Sequence, residues 1–429
     1  MVTIIAALAM LESPGSIEAH APALHASLRS SEPRDGAVLQ VPPERIRLVF
    51  SEPLEPAMSA LTWASAPPSA PPLASSVDPR DRHSLVASPG GLPAGTYTIA
   101  WRVVSTDGHR VDGRISFRIV AAARDSTPLQ LSVQPPSAPH PSIDSSAAAP
   151  KHEHDTRAQR SVRILRACAV TALLALAGLC VMIAILPLSG PRPISLATVL
   201  GVLATILLAS YTVAWSLGVA GGPGVAPVDA VMTATSTTPG ALEVARVALA
   251  LLALWAIGLA RRPGLAALFA ATGALITGAS GHSAVTLPYW SIPLKAIHLL
   301  AVATWLGGLL WIVTAERHGD RYLQGTRRVS SLSLLAVLTV LATGIAQSAI
   351  FLPSVTALYD SSYGQLLLLK VAGLFVLVLF GAFHRRIVPR MDTTMARRRL
   401  RRSVRAEIAV MLIVSALGGL LATIALPKR

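Results

Sequence analysis

From residue 162 onward the chain is a succession of apolar runs, each near the roughly 20 residues that a helix needs to cross a bilayer. No other feature limits the fold so strongly. In hydrocarbon every backbone N–H and C=O must be satisfied within its own segment, so runs of this kind have to be helices. Eight are expected, at about 162–187, 194–219, 241–260, 264–280, 291–314, 329–352, 364–384 and 405–426. They make residues 161–429 an all-α polytopic membrane domain whose first partner is the lipid bilayer.

Charge orients these helices. The formal net charge is +15, which on a polar domain would suggest nucleic acid. Here the arginines sit at the ends of apolar runs, and nucleic acid is excluded as a partner. The connections between helices 1–2, 3–4, 5–6 and 7–8 hold Arg192; Arg261 and Arg262; Arg317, Arg321, Arg327 and Arg328; and a run from Arg385 to Arg405. The other connections, at about 220–240, 281–290 and 353–363, hold neither Lys nor Arg. The positive-inside rule then places both termini outside the cytoplasmic membrane. The segment "MARRRLRRSVR" reads as topology and contact with anionic lipid.

Ahead of the helices the patterning changes. Residues 1–24 read as a signal peptide: Val2–Leu11 is too short to span, and "AHA" or "APA" offers small residues for cleavage. Residues 25–121 read as a small all-β domain. In "RIRLVFS" Ile46, Leu48 and Phe50 share one face, and "SALTWAS" and "HSLVAS" add strands between Pro/Gly/Asp turns. Short strands with frequent turns suggest a sandwich or Greek-key barrel. Residues 122–160, rich in Ala, Pro and Ser, read as a flexible linker. Within its "KHEHD", His152 and His154 are expected to be solvated rather than ligating.

The last strands of the β domain lie in "YTIAWRVVSTDGHRVDGRISFRIV" (Tyr97–Val120). Tyr97, Ile99, Trp101 and Val103 alternate with polar residues, as do Ile115, Phe117 and Ile119, which is the pattern of a half-buried antiparallel pair. The nine-residue connection "STDGHRVDG" is expected to turn at Asp107-Gly108 and again at Asp112-Gly113. At such a turn Asp107 and His109 can converge on one small ion. His25 is a third candidate, because a mature chain beginning there offers its α-amine and its ring nitrogen together. A nitrogen-rich N/O set suits tetragonal Cu(II) better than Cu(I).

The stretches "HASLRSSEPRDGAVL", "RIRLVFSEPLEPAMS" and "YTIAWRVVSTDGHRVDGRISFRI" resemble, in order and spacing, the successive signatures of the CopC family of extracytoplasmic copper-binding proteins. "AIHLLAVATWLGGLLW", "SSYGQLLLLK" and "RRSVRAEI" resemble the CopD family. The whole chain is similar to CopC–CopD fusions of copper uptake or resistance. That resemblance implies a cupredoxin-like β-barrel and carries the Cu(II) ligands onto His25, Asp107 and His109. Met58 is the only methionine between residues 25 and 121, so a Met-rich Cu(I) site is not expected.

Ionisable groups inside a membrane are costly and mark function or pairing. His282 in "ASGHSA" and His298, about two turns into its helix, are candidates for a copper path toward the inside. The bland reading of each is a hydrogen bond to a neighbouring helix. Glu243 and Arg246, one turn apart, are expected to pair. Lys370 snorkels or pairs, and His384 is expected at the interface. Cys168 and Cys180, twelve residues apart on one helix, would lie about 18 Å apart, too far for a disulfide. No "GxxxxGK[ST]" motif is present, so no ATPase machinery is expected, nor enzymatic activity.

The expected function is capture of Cu(II) outside the membrane and copper transport, homeostasis or resistance. Two alternatives stand beside it. One is a tethered copper buffer or sensor, and the other is a haem-containing membrane redox protein, which would need histidine pairs on facing helices.

Overall fold

The computed structural model of the chain describes residues 26–106, 108, 110–120, 152–186, 190–222, 224–280, 288–316, 320–387 and 394–422. The chain divides into two compact units, one of strands and one of helices.

The β unit holds eight strands: β1 (Leu28–Glu32), β2 (Ala37–Leu39), β3 (Ile46–Phe50), β4 (Ala60–Ser65), β5 (Ser75–Asp78), β6 (Asp81–Ala87), β7 (Gly95–Val104) and β8 (Arg110–Ile119). They form two four-stranded sheets, ordered β1-β3-β6-β5 and β2-β8-β7-β4. Most pairings are antiparallel, but β2 runs parallel to β8 with Ala37 opposite Phe117. The alternation read in the sequence decides the faces: Ile46, Leu48 and Phe50 from one sheet, and Tyr97, Ile99, Phe117 and Ile119 from the other, are all buried. Phe50 meets Trp101 edge-on across the sandwich at 5.1 Å, and Tyr97 stacks on Phe117 at 5.2 Å. Such pairs add roughly 0.5–1.5 kcal/mol beyond the area they bury. The Tyr97 hydroxyl is satisfied by donating to Pro93 O at 2.6 Å. Strands β1, β2 and β5 are short or polar (their cores read "LRSSE", "AVL" and "SSVD"), which is why alternation alone does not reveal them.

One turn is corrected. Strand β8 begins at Arg110, so the connection from β7 is Ser105–His109 and Asp112-Gly113 lies inside a strand. A Cβ on Gly113 would collide with the Trp101 indole, which lies across the strand at that point. The glycine serves close packing, whereas Gly108 does sit in a turn, at φ +87°.

The helical unit holds α1 (His152–Ile185), α2 (Arg192–Ala220), α3 (Pro227–Thr235), α4 (Thr238–Gly258), α5 (Pro263–Gly278), α6 (Pro288–Thr314), α7 (Asp320–Phe351), α8 (Ala357–Asp360), α9 (Ser362–Ile387) and α10 (Thr394–Leu421). Among the described residues seven helices are long and apolar enough to cross a membrane; α5, with 16 residues, is the shorter eighth of the expected set. The short helices α3 and α8 were not expected from the sequence. Helix α1 starts at His152, so the expected linker ends earlier than residue 160. "HEHDTRAQRSVR" has no Gly or Pro and is rich in good helix formers, which lets the helix begin ahead of its apolar run. Residues 1–25 and 121–151, on which the signal peptide and most of the linker fall, lie outside the described residues.

Helices α1 and α6 form the interior: 78% and 61% of their apolar windows are buried, against 6% for α9. Small residues set this. A Cβ on Gly178 would strike the Ala303 carbonyl, and one on Gly307 would strike the Gly178 backbone, so the two helices cross backbone to backbone. The neighbouring Gly308 makes room for Val329 of α7, and Gly325 of α7 makes room for the Trp311 ring. The "WLGGLLW" stretch thus seats α6 on two neighbours at once.

Candidate functional site

His25, Asp107, His109 and His282 lie outside the described residues. What the structure does show of the "STDGH" connection is its closure. The Gly108 N–H donates to Ser105 O at 2.8 Å, and Ser105 is buried. Among the described residues no three His, Cys, Asp or Glu side chains gather into a metal cluster.

Two of the cavities in the helical unit follow one another along its helices. The first is lined by Arg166 of α1, Lys295, His298 and Trp305 of α6, Gln347 of α7, Tyr363 and Lys370 of α9 and apolar residues of α10. The second is lined by Trp305, Leu309 and Ile312 of α6, Ser330 and Ser333 of α7, His384 and Arg385 of α9, and Glu407 of α10. Trp305 belongs to both linings. On α6 the two extend from Lys295 to Ile312, about 25 Å of helix, close to the roughly 30 Å of a hydrocarbon core.

In the first cavity His298 is buried, and its Nδ1 lies 2.8 Å from the Thr343 hydroxyl. That hydroxyl already donates to Thr339 O at 2.6 Å, so its oxygen accepts from the ring and Nδ1 carries the proton. The Nε2 lone pair is then the one left to take a proton or a metal. The bland expectation, a hydrogen bond to a neighbouring helix, is met at the same time. Lys295 Nζ donates to Ser280 O at 2.7 Å, and Arg166 donates to the Ser280 hydroxyl at 3.0 Å.

The second cavity contains a group that sequence reasoning missed. Glu407 is buried; its Oε1 accepts from the Trp305 indole at 3.0 Å, and its Oε2 lies 3.0 Å from His384 Nδ1. The other ring nitrogen of His384 meets the Ser403 hydroxyl at 2.8 Å. His384, expected at the interface, is buried against its helical neighbours and lies beside a carboxylate. A lone acid in the apolar part of "RRSVRAEIAVMLIV" was the available signal. Elsewhere the expected pairing of Glu243 with Arg246 is present and buried, and Cys168 and Cys180 are both free thiols.

A β-sandwich joined to a polytopic helical unit with ionisable groups at depth defines a multi-pass membrane protein with an appended binding module. Residues 28–120 match the CopC domain family, and residues 323–421 match the family described as copper resistance protein D, CopD. Copper resistance protein C of Escherichia coli is 36% identical over 106 residues, covering 22% of this chain and 81% of that protein. Copper transport protein CutJ of Bacillus subtilis (strain 168) is 27% identical over 429 residues, covering 90% of this chain and 72% of that protein. The crystal structure of selenomethionine PcoC, a copper resistance protein from Escherichia coli, is 35% identical, covers 22% of this chain and 99% of its own, and gives a TM-score of 0.20. The chain belongs to the CopC family and is a CopC–CopD fusion, a CopC domain followed by a CopD domain, as its sequence motifs suggested.

Proposed function

We propose that the β unit captures Cu(II) on the outer side of the cytoplasmic membrane and that the helical unit passes copper inward. The side assignment rests on the arginine asymmetry of the connections, which puts the second cavity, with Arg385 on its lining, at the cytoplasmic end. His25, Asp107 and His109 are the Cu(II) ligands in this reading, as the CopC resemblance implies. Fusion keeps the captured ion at high effective concentration beside the membrane unit. Movement follows a gradient or the membrane potential, with no chemical conversion of a substrate.

The observation that carries the transport half is the pair of cavities meeting at Trp305, with His298 in one and Glu407–His384 in the other. A unit that only anchored a buffer would have no reason to bury an imidazole, a carboxylate and a second imidazole along one line, given the cost of polar groups at that depth. The haem alternative needs two histidines facing one space, and His298 and His384 line different cavities.

Radiocopper uptake by cells lacking the chain and complemented with variants tests the reading. Glu407→Gln and His298→Ala are each expected to lower uptake roughly tenfold at unchanged membrane level, the scale of one lost polar contact to a charged group. Uptake equal to wild type in both defeats transport through these cavities. In parallel, His109→Ala should abolish tight Cu(II) binding by the purified chain, and an unaltered titration rejects the ligand set.

A further inference from the structure

The first cavity gathers cationic side chains. The ionisable groups on its lining are Arg166, Lys295, His298, Tyr363 and Lys370, with no Asp or Glu among them, and its soft donor is the Met411 thioether. The positive charges of Arg166, Arg246 and Lys370 all act on Lys295. Glu243, whose charge acts on Arg166 and Arg246, pairs directly with Arg246 and is not on the cavity lining.

The donors are only partly used. Lys295 gives one hydrogen bond to Ser280 O and Arg166 gives one to the Ser280 hydroxyl. An ammonium has three donors and a guanidinium five, and neither can accept. Lys370 has neither a hydrogen bond nor an ion pair among the described residues. It comes off α9 and reaches Gly418 of α10: a Cβ on that glycine would lie in ordinary contact with Nζ, at 3.5 Å. A cation without a partner in a low-dielectric interior is unfavourable, and a bound anion is a partner that relieves it.

We propose that this cavity is an anion site that takes a small carboxylate, with Lys370 as its principal contact and Lys295 and Arg166 completing the charge. The space is about 140 Å³, comparable with the cavity of about 150 Å³ that accommodates benzene in another protein, so the ligand is a compact mono- or dicarboxylate. Apolar side chains such as Leu374 and Val414 make up the rest of the lining, and this suits the carbon skeleton of such an acid. The carboxylate arrives either free or as the ligand of a copper ion, and the site recognises the same group in both.

The test uses the full chain in detergent and retention of radiolabelled malonate, with and without one equivalent of Cu(II). Saturable malonate binding without copper supports a site for the free acid. Binding only with copper supports a site for the metal carboxylate, provided that Lys370→Met weakens it. In either case Lys370→Met is expected to weaken retention at least about tenfold, the effect of losing roughly 1.4 kcal/mol, while Lys370→Arg keeps the charge and most of the binding. Wild-type protein that retains no malonate in either arm overturns the proposal, as does a Lys370→Met variant that retains it fully. The readout is the labelled acid rather than copper, so it can fail while radiocopper uptake succeeds, and the reverse.

Discussion

In the β unit Arg47, Asp81 and Ser84 meet at the margin of a sheet, the guanidinium 2.9 Å from the carboxylate and both side chains more than a third exposed. In the helical unit Glu407 and His384 lie at the same kind of distance, 3.0 Å, but both are buried, as are Glu243 and Arg246. The exposed set is screened and easily replaced by water, so it tunes stability by little. The buried sets lose a partner only at large cost, because the survivor is left unpaired in a medium of low dielectric. The β unit is therefore held by its apolar layer. The helical unit is held by close backbone approach and carries its charges for use.

Three measurements press on this contrast, in order of expected effect. Gly307→Leu should be the most damaging, since the side chain would have to enter the backbone of α1; little monodisperse protein is expected on size-exclusion chromatography in detergent. Gly381→Leu, where nothing lies within 4 Å of an added Cβ, should elute as wild type. Equal behaviour of the two would show that small residues do not hold the helices together.

Gly113→Val should come next, because its branched side chain displaces the Trp101 indole. Overpacking of this kind costs about 1–3 kcal/mol, read as a lower urea midpoint of the β unit with a shift in tryptophan emission. An unchanged midpoint would mean that Trp101 swings away freely.

Asp81→Asn should have the smallest effect, and one that depends on pH. The Ser84 hydroxyl, with the His83 N–H and the Arg47 guanidinium, holds the Asp81 carboxyl below the usual carboxylate range, against the opposing influence of partial burial. A carboxyl depressed in the folded state stabilises above its unfolded value of about 3.9, and that contribution is lost as pH falls through the folded value. The stability gap between wild type and variant should be widest near neutrality and close below about pH 4. A gap that widens in acid would reverse the sign and refute the assignment.

The architecture was legible in the sequence because both periods were clean. Runs of about twenty apolar residues marked the seven long helices and the shorter α5, and alternation in "RIRLVF" and "YTIAWRVV" marked the central strands with their buried faces. The edges were not legible. β1 and β5 carry too few apolar residues to alternate, and Gly113 looked like turn chemistry because a glycine kept small by a facing indole is identical in sequence to one needed for a bend. The site divides in the same way. The Glu243–Arg246 pair lies within one helix and its spacing predicts it, whereas Glu407 reaches Trp305 and His384 on two other helices. No local pattern carries contacts of that kind. The three Cu(II) positions rest on family resemblance, since they fall outside the described residues.

The crossing of α1 and α6 at Gly178 and Gly307 has a mechanical consequence. Two rods that meet main chain against main chain leave no slack at that point, so a displacement of one is passed directly to the other. A rearrangement that admits an ion from one side and releases it to the other therefore costs least where the surrounding helices move and this crossing stays.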